Sequence, residues 1–83
     1  MRYGGAGKRR DTSEPEIIAA LQAVGAIVKQ ISGDGLPDLL VCWRGRWLPI
    51  EVKSKGGRVR DKQRIYPIAR TAAEALALFG VRT

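Results

Sequence analysis

The sequence predicts a single small α/β domain, a short sheet flanked by helices. Three observations point there. Ile17, Ile18, Leu21 and Val24 recur at helical spacing early in the chain. Two short apolar runs, ending at Trp43 and beginning at Trp47, lie either side of Arg44-Gly45-Arg46. Thr71-Ala-Ala-Glu74 is a helix-capping pattern ahead of a last apolar stretch. A hydrophobic period that switches from helical to extended and back is the pattern of helices packed on strands.

Taken in order, residues 1–12 (MRYGGAGKRRDT) combine glycine with basic residues and show no apolar periodicity. They read as a flexible basic arm before one domain over residues 13–83. Its Lys8, Arg9 and Arg10 suit phosphate contacts, and equally a solvated surface. The first helix starts at Ser13, which can cap it; Pro15 suits the first turn, and Glu14 and Glu16 favour its positive end. Gly25 ends it. Ala26–Ile31 reads as a strand, with Ile27 and Ile31 on one side. Ser32–Pro37 (SGDGLP) is dense in turn residues and reads as a loop.

From Asp38, the run Leu39–Trp43 is continuously apolar, as for a strand covered on both faces. Arg44-Gly45-Arg46 is a tight connection, and Trp47–Lys53 returns as the second arm of a hairpin. Ser54–Arg60 (SKGGRVR) is a basic loop. Two readings then compete: a helix over Asp61–Phe79 broken at Pro67, or a strand at Ile65–Arg70 followed by a helix capped by Thr71. The capping box, in which Thr71 and Glu74 satisfy each other's end groups, favours the second; Gly80 is the stop.

Composition limits the chemistry. The 83 residues carry a net charge of +7 and a pI near 10.3, a balance that attracts polyanions, nucleic acid above all. The chain has no histidine and one cysteine, Cys42. Ser–His or Cys–His catalysis, a histidine-ligated zinc and an internal disulfide are therefore excluded within it. Cys42 sits in an apolar run and reads as a small core residue. No stretch resembles a membrane span or a signal peptide, so an intracellular (cytoplasmic) protein with no membrane partner is expected. Trp43 is expected in the core. Trp47 suits packing in the core or against a second copy, or stacking on a base.

The chemistry is carried by acids at one end of the hairpin. Alternate strand residues share a face, so Glu51 and Lys53 point one way and Val52 the other. Twelve residues separate Asp38 from Glu51, enough for two short strands and a turn, and in an antiparallel pair those ends meet. Two carboxylates bind Mg²⁺ or Mn²⁺ through hard oxygens and leave positions for water and a phosphate. A lysine beside them can orient that water or offset charge on a phosphoryl transition state.

Gly33–Val41 (GDGLPDLLV), Ile50–Lys53 (IEVK) and Gln63 after the basic loop together resemble the PD-(D/E)XK nuclease superfamily, and within it the VRR-NUC branch. Glu16–Val28 resembles the family's first helix and strand, and Ile68–Gly80 its last strand and helix, so the resemblance covers about residues 14–80. It implies a mixed three- to four-stranded sheet flanked by helices, and a Mg²⁺- or Mn²⁺-dependent endonuclease cutting DNA, branched or junction DNA included. It implies Asp38 and Glu51 as metal carboxylates, the Val52 backbone carbonyl as a further ligand, Lys53 in catalysis and Gln63 at the site's edge. The first-helix acid would be Glu16, with Glu14 the alternative. Small stand-alone members of the branch, common in phages, pair as homodimers, which the shortness of this chain also favours. Lys55, Arg58, Arg60, Lys62 and Arg64 follow the site and suit a phosphate backbone, or plain solvation. One departure stands out: only Arg64 separates Gln63 from the strand proposed at Ile65, where family members carry a helix. The competing expectations are a nucleic-acid-binding module that keeps the shape without cutting, and a basic structural protein whose acids form ion pairs.

Overall fold

The computed structural model describes residues 13–54 and 65–82. They form a small α/β domain, in chain order α1 (Glu14–Ala23), β1 (Ile27–Gln30), β2 (Leu39–Trp43), β3 (Arg46–Val52), β4 (Ile68–Ala69) and α2 (Ala72–Ala77). The four strands make one mixed sheet in the order β1-β2-β3-β4. The first three are antiparallel neighbours, and β4 joins β3 in parallel. Among the described residues no helix is long and apolar enough to cross a membrane.

The two faces of the sheet differ. Leu39, Val41, Ile50 and Val52 are fully buried in one cluster with Ile17 and Leu21 of α1 and Leu76 and Phe79 at α2, so both helices cover the same face. Cross-strand pairs such as Leu39–Ile50 put side chains of adjacent strands on that face. On the other face the register aligns Ile27, Cys42 and Trp47, then Lys29, Leu40 and Pro49. Ile27 and Trp47 are 53% and 54% exposed, while Leu40 and Cys42 are half-buried. The apolar run of β2 is therefore fully covered on one face only. Cys42 and Trp47 lie on the open face outside the core, because the pleat assigns faces by alternation whatever the hydropathy. Trp43 is on the covered face. It meets the Phe79 ring edge-on at 6.1 Å, and its Nε1–H donates to the Val24 carbonyl at 2.9 Å.

Local signals explain most boundaries. The hairpin turns on Arg44 (φ 51°) and Gly45 (φ 80°), the doubly positive geometry that matches the twist of flanking strands and that glycine permits. Pro49 sits inside β3 without breaking a ladder bond. Glu51 N–H donates to the Pro67 carbonyl, so residues of that parity turn their amides toward the β4 side. β4 pairs only with Glu51 and Val52, so the N–H that Pro49 lacks would have faced an edge without a described partner. At the end of α1, Gly25 (φ 93°) donates to the Gln22 carbonyl at 3.0 Å and Ala26 to the Leu21 carbonyl at 3.0 Å, a Schellman closure.

Three further expectations are corrected. Ser13 does not cap α1 with its side chain: its backbone is itself helical, and its hydroxyl donates to the Lys53 carbonyl at 3.2 Å. The strand expected over Ile65–Arg70 is only Ile68–Ala69, since parallel pairing begins where Glu51 N–H reaches the Pro67 carbonyl. Of the two readings of this region, strand then helix is the one observed. Thr71 Oγ1 accepts from Glu74 N–H at 3.1 Å, but Glu74 reaches back to the Arg70 N–H, at 2.7 Å, one residue earlier than in a standard box.

Candidate active site

The hairpin register pairs Leu39 with Ile50, and one more step places Asp38 opposite Glu51. Asp38 is gripped from both neighbours. Its carbonyl accepts Ile31 N–H at 3.0 Å, closing the end of the β1–β2 ladder. Its Oδ2 accepts Val52 N–H at 2.9 Å, where β2 has no further residue to offer. A carboxylate thus continues the sheet's hydrogen bonding, which holds it rigid and satisfies an amide that would otherwise be stranded.

Glu51 is only 6% exposed. Its backbone is fixed by the Pro67 carbonyl at 2.8 Å, and Lys53 N–H donates to the Ala69 carbonyl at 3.0 Å. Alternation along β3 sends Val52 into the helix-covered core, where it is fully buried, and Glu51 and Lys53 to the opposite face. In a strand, one residue's N–H and C=O face the same neighbour. The Val52 carbonyl is therefore on the Asp38 side of β3.

The two acids of the first helix are placed differently. Glu14 is 2% exposed and accepts a hydrogen bond from Gln30 Nε2 at 2.8 Å. Gln30 pairs with Leu39, next to Asp38, so Glu14 reaches the site end of the sheet from the core side. That bond, and a place in the first turn of α1 where the helix dipole favours an anion, offset the cost of burying a charge. Glu16 is exposed and instead lines an open cleft of about 440 Å³ with Ser13, Ser54 and Arg70. Helical periodicity could have separated the two: Glu14, Ile17 and Leu21 are spaced by three and four residues and form one stripe, which Glu16 leaves.

Three ties that sequence reasoning missed brace this end of the fold. Ser13 joins α1 to Lys53. Arg70 Nη1 donates to the Ser54 carbonyl at 2.8 Å. Tyr66 Oη donates to the Gly35 carbonyl at 2.6 Å, linking the loop before Asp38 to the approach of β4. No local pattern marks such contacts, since each joins residues distant in sequence.

Among the described residues no group of three or more His, Cys, Asp or Glu side chains is gathered as a metal cage. The site as it stands offers Asp38 and Glu51, the Val52 carbonyl and Lys53. Gln63 and the basic residues Lys55, Arg58, Arg60, Lys62 and Arg64 lie outside the described residues, as do Lys8, Arg9 and Arg10. Comparison with protein-family models, with curated proteins and with solved structures finds no match to this chain.

Proposed function

We propose that this protein is a metal-dependent nuclease of the PD-(D/E)XK type, close to the VRR-NUC branch, hydrolysing DNA phosphodiester bonds, with branched DNA among its substrates. The observation that carries the reading is the bond from Val52 N–H to Asp38 Oδ2. It sets one carboxylate beside the strand that bears Glu51 and Lys53, uniting motifs twelve residues apart in the sequence.

The donor set fits Mg²⁺ or Mn²⁺. Two carboxylates and a backbone carbonyl are hard oxygen ligands, and a small ion that keeps several waters needs no larger protein cage. Asp38, Glu51 and the Val52 carbonyl would hold it. When bound, the ion would acidify a water and polarise a phosphoryl oxygen. The chain's own residues do the rest. The backbone bond to Asp38 and the burial of Glu51 keep the carboxylates from following solvent. Lys53, on the same face as Glu51, places a positive charge where a phosphate must approach, stabilising charge that builds on it. Of the first-helix acids, Glu14 is the better placed to support the site, through its contact beside Asp38, and Glu16 faces the neighbouring cleft. The net charge of +7 draws the polyanion in.

The test is cleavage of branched and linear DNA with Mg²⁺ or Mn²⁺, wild type beside Glu51→Ala and Lys53→Ala. Metal-dependent cutting is expected in the wild type, with at least about a hundredfold loss in Glu51→Ala and little change in DNA binding. Salt-sensitive binding with no cutting under any metal would replace this reading with a non-catalytic nucleic-acid-binding module.

A further inference from the structure

We propose that the open face of the sheet binds an unpaired stretch of the nucleic acid, with Trp47 stacking on a base and Lys29 meeting the backbone. The inference rests on the nuclease reading for the substrate and for the direction in which the strand runs. Trp47 is the largest exposed apolar side chain among the described residues, at 54%, and it shares a face of β3 with Pro49, Glu51 and Lys53 by alternation. Glu51 lies four positions further along β3, about 13 Å along a strand, a span of a few nucleotides.

The register builds a track between them. Ile27, Cys42 and Trp47 form one row across three strands, and Lys29, Leu40 and Pro49 form the next. One further step reaches Asp38 and Glu51. The first row offers a flat apolar surface with an indole at its edge. The second offers an exposed lysine, and the third the carboxylates. The cations of the hairpin turn lean the other way: the Arg44 guanidinium lies over the Trp43 ring at 4.5 Å and that of Arg46 over the Phe79 ring at 5.7 Å, both against aromatics of the covered face.

The nature of the occupant follows from these groups. An indole stacks on a base face, and inside a duplex both faces of a base are already taken, so the base it binds must be unstacked, as in a single-stranded stretch. A second copy of the chain is a poorer occupant. Face-to-face association would bring two sets of Lys29 and Lys53 onto one interface between molecules that each carry +7. Pairing along the open edge of β3 is blunted by Pro49.

The deciding experiment compares a fluorescent oligothymidylate with a blunt duplex of equal length, binding read by anisotropy in EDTA. Wild type, Trp47→Ala, Trp47→Phe and Lys29→Ala are measured, with sedimentation velocity on the same samples. Trp47→Ala should weaken oligothymidylate binding roughly 5- to 150-fold and leave duplex binding nearly unchanged. Trp47→Phe should recover most of the loss, and Lys29→Ala should reduce the salt dependence of oligothymidylate binding. Equal losses on both ligands, or none on oligothymidylate, would overturn the proposal. So would a wild-type dimer that Trp47→Ala turns into a monomer, which would assign the face to a second copy. Because no metal is present, this result stands apart from the cleavage test: stacking without cutting would refute only the nuclease, and cutting without stacking only the track.

Discussion

The two faces of the sheet are built from the same strands, yet they serve different ends. On the covered face, Leu39, Val41, Ile50 and Val52 are wholly out of water, against helices that add Ile17, Leu21 and Leu76. On the open face, Ile27 and Trp47 are more than half exposed and Lys29 reaches solvent, while Glu51 and Lys53 occupy one end. Neighbours such as Ile50 and Glu51 thus belong to the core and to the candidate site respectively. The close spacing has a mechanical consequence: groups fixed to a backbone whose alternate side chains are locked in a packed core are themselves held in place.

Core truncation should separate the faces most sharply. Ile50→Ala should cost about 2–5 kcal/mol, which urea denaturation would read, and in a domain this small that takes much of the total stability. If Ile50→Ala melts no earlier than Ile27→Ala, the division between the faces is wrong. Next comes the bond that joins the site to the sheet. Asp38→Ala strands the Val52 amide and should cost about 1–3 kcal/mol. Asp38→Asn keeps an acceptor, so it should melt closer to wild type while still abolishing metal-dependent cutting. Equal stability losses in the two variants would show that the charge, and not the hydrogen bond, holds this residue.

Thr71→Ala, which removes the cap on α2, should cost about 1 kcal/mol and leave DNA binding unchanged. The smallest effect belongs to the open face: Ile27→Ser should change stability by no more than about 0.5 kcal/mol. A large destabilisation there would mean that the face is covered in solution, and sedimentation would then show by what.

Much of the hairpin was legible because its signals are local. The Arg-Gly connection sets the turn, and two-residue alternation sends Val52 one way and Glu51 and Lys53 the other. The helix stop at Gly25 and the Thr71 cap were legible for the same reason. The first-helix acid was half legible: the stripe through Ile17 and Leu21 includes Glu14, but an acid is ordinarily expected in water, and only the Gln30 partner explains its burial. Cys42 lies outside the core its apolar run predicts, and core packing of Trp47, one of its three readings, is ruled out, because hydropathy does not say how many layers cover a sheet. The length of β4 was equally hidden, since two residues beside a proline carry almost no periodicity.

The first helix, the three antiparallel strands, the hairpin turn and the meeting of Asp38, Glu51 and Lys53 at one end of it all follow from the sequence alone, through turn chemistry, periodicity and parity along a short stretch of chain. Only the tertiary structure decided that both helices lie on one face, that Ser13 ties to Lys53 and leaves its own helix uncapped, and that Glu14 enters the core while Glu16 faces a cleft. Those outcomes depend on which distant surfaces meet to exclude water and which buried polar groups then find partners.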